Sequence, residues 1–161
     1  SNQIGGNNMK IEEKLAELGL TLPQVPAPVA AYVPAVKAGN WVFVSGQTPM
    51  KDGQLKVKGK LGKDVSLEDA YEEAKQCALN IMAAVKSVAG SLDNVEQIVK
   101  LSGFVASTPD FTDAPKVVNG ASELFGKVFG DRGKHARAAV GVASLPLDCC
   151  VEIEAIVLLK D

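Results

Sequence analysis

The sequence predicts a single α+β domain in which two long helices cover one face of a mixed β-sheet of about five or six strands. Three observations support this architecture. The chain has 161 residues, enough for one domain with its own hydrophobic core. Its hydrophobic content of 47% includes only 5% aromatic residues, which suits helices packed on a sheet. Two long stretches of helical periodicity interrupt the strand-forming runs, in the order ββ(β)αβαββ.

The chain begins with a polar lead, a short helix and a loop. We interpret Met9 as the natural start, residues 1–8 as a cloning remnant or an unstructured lead, and residues 9–161 as one domain. Residues 10–19 carry apolar side chains at helical spacing and predict a short amphipathic helix that ends at a glycine. The stretch 21–28 is rich in proline, which predicts a surface loop.

Two strands and a long loop are predicted next. Residues 30–36 and 41–47 are rich in strand-forming residues and flank a turn at residues 37–40, where glycine and asparagine tolerate a positive φ. Residues 50–63 are rich in glycine and lysine and predict an exposed loop, with at most a short edge strand.

The strand at residues 41–47 is apolar on both sides. Side-chain alternation places Trp41 and Phe43 on one side, and Val44 and Gly46 on the other. A strand with two apolar sides is typical of the interior of a sheet, so we expect it to have a neighbour on each edge.

Both long helices have start and stop signals. Ser66 begins a capping-box-like sequence, and the helix that follows is expected to end at Gly90. Asp113 is expected to cap a second helix, with Pro115 in its first turn and Gly130 as its stop. Each helix carries an apolar stripe, which predicts that both pack on the sheet.

Three further strands are predicted at residues 98–106, 136–143 and 149–159. The last two flank the turn Ser144-Leu-Pro-Leu-Asp148, so we expect them to pair with each other as a β-hairpin. In that register Arg137 lies opposite Glu154, and Glu152 lies opposite the small Ala139.

The predicted hairpin is where the sequence suggests chemistry. An arginine followed only by small or apolar residues is costly to shelter unless it is paired. Its planar fork suits a carboxylate, so Arg137 either forms a cross-strand ion pair with a protein glutamate or binds an anionic ligand. The residues alone leave both possibilities open.

Charge and hydropathy make several other functions unexpected. The formal net charge of −2 and the lack of a basic run argue against nucleic-acid binding. No apolar run approaches the roughly 20 residues that span a bilayer, and the N-terminus lacks a signal-peptide core, so we expect a cytoplasmic protein without membrane contact.

No cofactor or metal is expected from the pattern of chemistry-bearing residues. The chain has no dinucleotide-binding, phosphate-binding or nucleophile-elbow motif. Cys77, Cys149 and Cys150 are interpreted as reduced structural residues, and their spacing does not match a metal shell. His135, the one histidine, lies in a glycine- and lysine-rich connector and is interpreted as a solvated loop residue.

The C-terminal pattern resembles the signature of the RidA/YjgF family, whose members are also described as endoribonuclease L-PSP-type proteins. The matching stretch is Arg137-Ala-Ala-Val-x-x-Ala-x-Leu-Pro-x-Asp-x-x-Val-Glu-Ile-Glu-Ala155, and Val44-Ser-Gly-Gln47 matches a second motif. Other matching positions are Tyr32, Asn40, Asn119 and Phe125. The resemblance runs from about residue 30 to residue 158.

This resemblance implies a fold, an assembly and a role for each matching residue. The fold is chorismate-mutase-like, of the bacillus type, and usually forms a homotrimer with a central barrel and three clefts at the subunit interfaces. Arg137 would hold a substrate carboxylate, and Glu152 would position or activate water. The cleft-lining residues would be Tyr32, Ser45 and Asn119.

The implied reaction is hydrolysis of reactive enamine or imine intermediates, such as 2-aminoacrylate, to a 2-keto acid and ammonia, without a cofactor. One alternative is a protein that binds small carboxylate metabolites without turnover. A ribonuclease or translation-inhibitor activity is disfavoured by the acidic charge. The sequence leaves open whether the protein is an enzyme.

Three departures from the family pattern indicate a divergent subgroup. The common Pro-Ala pair before the arginine is His135-Ala136, and the loops at residues 50–64 and 130–135 are longer than in short members. The cysteine two residues after the arginine is Ala139, which changes the size of the cleft and therefore the expected substrate.

Overall fold

The structure of the chain is a computed structural model that describes residues 10–25 and 30–161. The helices are α1 (Lys10–Glu17), α2 (Leu67–Ala89) and α3 (Ala114–Phe129). The strands are β1 (Ala35–Ala38), β2 (Trp41–Gln47), β3 (Val95–Ala106), β4 (Ala136–Val142) and β5 (Val151–Leu159). Short 3₁₀ turns occur at Leu92–Asn94, Gly130–Gly133 and Pro146–Asp148. The predicted lead at residues 1–8 and part of the proline-rich loop lie outside the described residues.

The five strands form one mixed sheet in the order β1-β2-β5-β3-β4. β3 and β4 run parallel and are connected through α3, whereas the other neighbouring pairs are antiparallel. The predicted α+β class and mixed sheet are confirmed. β2 lies between β1 and β5, as its two apolar sides predict.

The long helices begin and end where the sequence predicts. The Ser66 hydroxyl accepts a hydrogen bond from the Asp69 amide at 3.1 Å and caps α2. Gly90 ends α2 at a φ of 81°, a backbone conformation that glycine adopts without steric cost. The predicted cap by Asp113 is wrong, because its side chain makes no capping hydrogen bond, and Pro115 marks the start of α3.

Both long helices cover the same face of the sheet, and the hydrophobic core lies between the helices and that face. Side chains of β3 and β5 that point to this face are fully buried, as at Leu101 and Ile153. The opposite face is open: Trp41 is 43% exposed, Phe43 48% and Val140 47%. An apolar sheet face left in contact with water is typical of an interaction surface.

β4 and β5 do not pair, so the predicted hairpin is wrong. β3 lies between them, with Arg137 next to Leu101 on one side and Glu152 next to Phe104 on the other. The connecting segment crosses the end of β3, where the Ser107 amide bonds the end of β4 and the Ala106 amide bonds the residue before β5. The turn at residues 144–148 therefore does not join neighbouring strands but spans two strand spacings of about 4.8 Å each.

The first strand also differs from its prediction. Residues 30–34 form no strand, and β1 begins only at Ala35. Pro34 has no amide hydrogen for a ladder, and its carbonyl accepts from the Ser45 amide at 2.9 Å. Residues 50–63 form a loop with isolated bridges, as predicted. No helix in the described part of the chain is long and apolar enough to cross a membrane.

We expect Gly120→Ala to destabilise the fold by about 1–3 kcal/mol, because a Cβ at Gly120 would lie 2.1 Å from the Tyr71 carbonyl oxygen on α2. Gly126 is the matched control on the same helix, because a Cβ there meets nothing within 4 Å. Gly126→Ala should stabilise by about 0.5–1 kcal/mol through helix propensity. Urea unfolding measures both, and equal stability of the two variants would contradict the close helix contact.

Candidate functional site

Arg137 lies near the start of the edge strand β4, and its side chain points to the helix-covered face of the sheet. Its Nη1 donates to Asn119 Oδ1 at 2.7 Å and to Ser122 Oγ at 3.1 Å. Asn119 and Ser122 are three residues apart on α3, which places both on the helix side that faces β4. We call Arg137, Asn119, Ser122 and His135 the arginine cluster.

Arg137 has no acidic partner among the residues that the structure describes. Its two contacts are neutral oxygens, and no carboxylate lies within ion-pair distance. The predicted alternative, a cross-strand ion pair with Glu154, is therefore not formed. The two Nη1 hydrogens are used, whereas the Nε and Nη2 hydrogens have no partner in the described ranges, which leaves one edge of the guanidinium for an anion.

His135 is not the solvated loop residue that the sequence suggested. It is half-buried, and its Nε2 lies 2.8 Å from Ser122 Oγ while its Nδ1 lies 2.7 Å from the Gly133 carbonyl oxygen. Its ring also meets Phe125 edge-on at a centroid distance of 6.3 Å. His135 thus belongs to the arginine cluster.

Glu152 lies on β5 beside a β-bulge of β2. Val44 pairs with Ala155 and Gln47 with Ile153, so β2 contains one extra residue at this point. The bulge turns Gly46 toward Glu152, and not to the buried side that simple alternation predicts. A Cβ at Gly46 would lie 2.9 Å from Glu152 Oε2, so glycine leaves the room that this carboxylate occupies.

The surroundings of the Glu152 carboxyl raise its pKa. Burial raises the pKa of the Glu152 carboxyl above its ordinary value, and the negative charge of Glu154 raises it further. Neither glutamate has a hydrogen-bond or ion-pair partner in the described part of the chain. A half-buried carboxylate with a raised pKa and an open lone pair can accept a proton from water.

Ser45 and Tyr32 lie near the same bulge. Ser45 Oγ donates to the Val33 carbonyl oxygen at 2.6 Å, so its hydroxyl anchors the segment that carries Tyr32. Tyr32 is 68% exposed, so its ring is accessible to solvent next to the segment that Ser45 anchors. We call Glu152 and the bulge residues Gly46 and Ser45 the acidic cluster.

The two clusters lie on different faces of the sheet. Arg137 and Ala139 point to the helix face, and Ala139 packs against the core beside Gly103. Glu152 points to the open face, two strands away from Arg137. Of the residues predicted to form one site, the structure brings Arg137 together with Asn119 and keeps Glu152 apart from them within one chain.

The three cysteines are free and buried. Burial raises the pKa of the Cys149 thiol to about 11 and that of Cys150 to about 12, and it also raises the pKa of Cys77. All three therefore stay protonated near neutral pH and are poor nucleophiles. In the described ranges, no group of three or more His, Cys, Asp or Glu side chains is arranged to hold a metal ion.

Comparison with known families decides the identity of the fold. Residues 22–159 match the endoribonuclease L-PSP family. The chain belongs to this family. The resemblance to RidA/YjgF proteins that the sequence motifs predict is confirmed, and the match covers every described strand.

Two proteins similar to this chain carry different names. Protein TCP17 of Trypanosoma cruzi is 40% identical over 153 residues, which cover 94% of this chain and 96% of that protein. A 2-iminobutanoate/2-iminopropanoate deaminase of Dermatophagoides farinae is 32% identical over 143 residues, with 88% of this chain and 95% of that protein covered.

A solved structure shares the full length of this L-PSP family chain. It is a protein of unknown function from Agrobacterium tumefaciens, with 46% identity, a TM-score of 0.90 and 100% of both chains covered. The fold of the described residues therefore matches that of a solved protein.

Sequence reasoning missed Ser122 and His135. A signal for Ser122 exists, because it lies three residues after Asn119 and must share its helix face. His135 has no such signal, because its partner comes from a helix that ends before the connector begins. Its position depends on how the 3₁₀ turn Gly130–Gly133 folds back on α3.

We expect Glu154→Gln to lower the pKa of Glu152, because it removes the negative charge that helps to raise that pKa. Glu154→Asp keeps the charge and is the matched control, with a pKa close to that of the wild type. Carbon-13 NMR titration of the Glu152 carboxyl measures the change. An unchanged pKa in Glu154→Gln would show that the two carboxylates do not interact.

Proposed function

We propose that the chain hydrolyses the C=N bond of small 2-imino acids, including those formed from 2-aminoacrylate-like enamines, and releases 2-keto acids and ammonia. The observation that carries this proposal is the environment of the Arg137 side chain. This side chain is half-buried, held by two neutral oxygens and without an acidic partner in the described residues, so one edge of its guanidinium suits a substrate carboxylate. The name of the Dermatophagoides farinae relative supports the same substrate class.

The proposed reaction needs a positioned water and a base. Water adds to the imine carbon, which forms a C–O bond while the π electrons of the C=N bond move to nitrogen. Glu152 accepts a proton from the water, and the nitrogen gains a proton, which produces a carbinolamine. The carbinolamine nitrogen then gains a second proton while the hydroxyl loses its proton, so that C=O forms, the C–N bond breaks and ammonia leaves. One water is consumed, and the substrate is neither oxidised nor reduced.

Each cluster supplies a different part of this reaction. Arg137 binds the carboxylate and thereby orients the imine carbon, which converts a bimolecular encounter into a positioned one. The raised pKa of Glu152 makes it a stronger base than an ordinary carboxylate. Tyr32, Ser45 and Asn119 are proposed as lining residues, and Ala139 as a small residue next to Arg137.

The reaction requires the two clusters to meet, and a second copy of the chain can bring them together. Within one chain the sheet separates Arg137 from Glu152. The open apolar face, with Trp41 and Phe43, is suited to bury against other copies. We therefore propose a homotrimer in which each cleft takes the arginine cluster from one subunit and the acidic cluster from the next.

A binding function without turnover is the second candidate. It is favoured by the geometry of the arginine cluster, which can hold a carboxylate without help from Glu152. The two functions share the ligand class and differ in whether water attacks it. Thermal stabilisation by 2-keto acids together with no imine hydrolysis would support binding only.

Two other properties stay predictions. The family description includes an endoribonuclease, but a net charge of −2 offers little attraction for a phosphate backbone, so we do not propose RNA as substrate. A cytoplasmic location is likewise predicted from the sequence alone.

Arg137→Ala should lower kcat/KM for imine hydrolysis roughly 100-fold or more, because two charge-assisted hydrogen bonds to the carboxylate are lost. Arg137→Lys keeps the charge but loses the planar fork, so it should recover only a small part of this activity. The assay follows loss of the imine that an amino-acid oxidase produces from alanine or 2-aminobutyrate.

The control for this assay is Arg132→Ala. Arg132, the other arginine of the chain, donates to the Val95 carbonyl and pairs with Glu96, so its side chain is engaged outside both clusters. It should keep wild-type activity. A wild-type rate equal to that in buffer alone would exclude the proposed reaction.

Mixed assemblies test whether the cleft is shared between subunits. Arg137→Ala and Glu152→Gln should each be inactive alone. When the two are co-expressed and purified through separate tags, about one third of the clefts in the mixed trimers should combine an intact arginine with an intact glutamate and recover activity. Mixed assemblies as inactive as their parents would show that both residues act within one chain.

A further inference from the structure

Ser122 and His135 form a chain of hydrogen bonds behind Arg137. Arg137 Nη1 lies 3.1 Å from Ser122 Oγ, which lies 2.8 Å from His135 Nε2. His135 Nδ1 continues the chain to the Gly133 carbonyl oxygen at 2.7 Å. Neither Ser122 nor His135 is assigned a role by the family motifs.

The direction of every bond in this chain follows from the groups at its two ends. A carbonyl oxygen can only accept, so His135 Nδ1 carries the hydrogen that bonds Gly133. In a neutral imidazole, Nε2 then has no hydrogen and accepts from the Ser122 hydroxyl. Arg137 can only donate, and Ser122 Oγ accepts from it. For a neutral imidazole, the three bonds are mutually consistent only in this order.

The far end of this hydrogen-bond chain, at the Gly133 carbonyl, is held by close packing. Gly133 packs so closely on α3 that a Cβ there would lie 2.2 Å from the Phe125 carbonyl oxygen. The Gly133 carbonyl that orients His135 is therefore held by packing, and the His135 ring is further fixed by its edge-on contact with Phe125. A proline at position 135, common in the family pattern, could not accept a hydrogen bond from Ser122.

The near end of this hydrogen-bond chain, at Ser122, determines how the Arg137 guanidinium is oriented. Ser122 takes one Nη1 hydrogen and Asn119 takes the other, so the plane of the guanidinium cannot rotate without breaking one of the bonds. The edge formed by Nε and Nη2 stays free in the described part of the chain. This edge offers two parallel donors, the geometry that a carboxylate accepts.

We propose that Ser122 and His135 are positioning residues that hold the Nε and Nη2 edge of Arg137 ready for the substrate carboxylate. The inference rests on the proposed carboxylate-binding function of Arg137. Neither residue touches the substrate. They act by lowering the orientational freedom that Arg137 loses when the ligand binds.

Ser122→Ala tests the near end. It should weaken binding of 2-oxobutanoate about 5- to 10-fold, because one hydrogen bond to a charged group is lost. KM for the imine should rise by a similar factor and kcat should change less. Ser122→Thr restores the hydroxyl and should recover most of the affinity. Ser87→Ala on α2 is the matched control, since Ser87 Oγ donates only to its own helix at Ala84, and it should bind normally.

His135 variants test the far end. His135→Phe keeps the ring packing against Phe125 but loses both hydrogen bonds, so it should weaken binding like Ser122→Ala. His135→Gln offers a carbonyl oxygen to the Ser122 hydroxyl and should recover part of the affinity. The amide of 2-oxobutanoic acid, which lacks the negative charge, should show little difference among all these variants. If His135→Phe bound 2-oxobutanoate as the wild type does, a positioning role for His135 would be wrong.

Nitrogen-15 NMR of the His135 ring provides a readout that does not depend on activity. The wild type should show the neutral tautomer with its hydrogen on Nδ1, and Ser122→Ala should change the Nε2 resonance. A hydrogen on Nε2 in the wild type would overturn the proposed order of bonds.

The two levels of the proposal fail in different ways. If Arg137→Ala abolishes binding while Ser122→Ala and His135→Phe bind normally, positioning is wrong and the carboxylate-binding function stands. If the wild type binds 2-oxobutanoate no better than Arg137→Ala does, the proposed function itself is wrong and the positioning role falls with it.

Discussion

The position of β3 between β4 and β5 determines where each functional group of this chain lies. β3 pairs in parallel with β4 and antiparallel with β5, so neighbouring side chains across the three strands share a face in register. This register places Arg137 on the helix face beside Leu101 and Glu152 on the open face beside Phe104. The separation of the arginine cluster from the acidic cluster is thus a property of strand order.

A half-buried arginine without an acid needs another source of stabilisation. A guanidinium that loses water must replace those hydrogen bonds, and neutral oxygens replace them without cancelling the charge. Asn119 and Ser122 supply two such oxygens from one helix face. The positive charge therefore remains available to an anion, which an ion pair with a protein glutamate would prevent. In this family member, the neutral partners favour a binding role for Arg137 over a purely structural one.

Much of the fold was predictable because local chemistry decides it. Ser66 and Gly90 bound α2, and the apolar alternation of β2 shows that it lies inside the sheet. The pairing of β4 and β5 was not predictable in this way. The turn Pro146–Asp148 looks like a hairpin turn, and only the long-range bonds of Ala106 and Ser107 show that it crosses β3.

The candidate site was also predictable only in part. Arg137 and Glu152 could be named from their residue types and motif, but their relation could not, because it depends on strand order. Gly46 was assigned to the wrong side because a bulge adds one residue and reverses the alternation beyond it. His135 was missed because its partner Ser122 is brought to it by tertiary packing of the connector on α3.

Separation of the two clusters also has a consequence for their chemistry. In a hairpin, Arg137 and a glutamate on the neighbouring strand would form an ion pair, which would lower the pKa of that glutamate and occupy the donors of the arginine. Instead, burial and Glu154 raise the pKa of Glu152, and Arg137 keeps one edge free in the described residues. If two subunits meet as proposed, each group is held by its own backbone, and the docking of the subunits sets the distance between them. A small carboxylate can then lie between base and arginine without either group first neutralising the other.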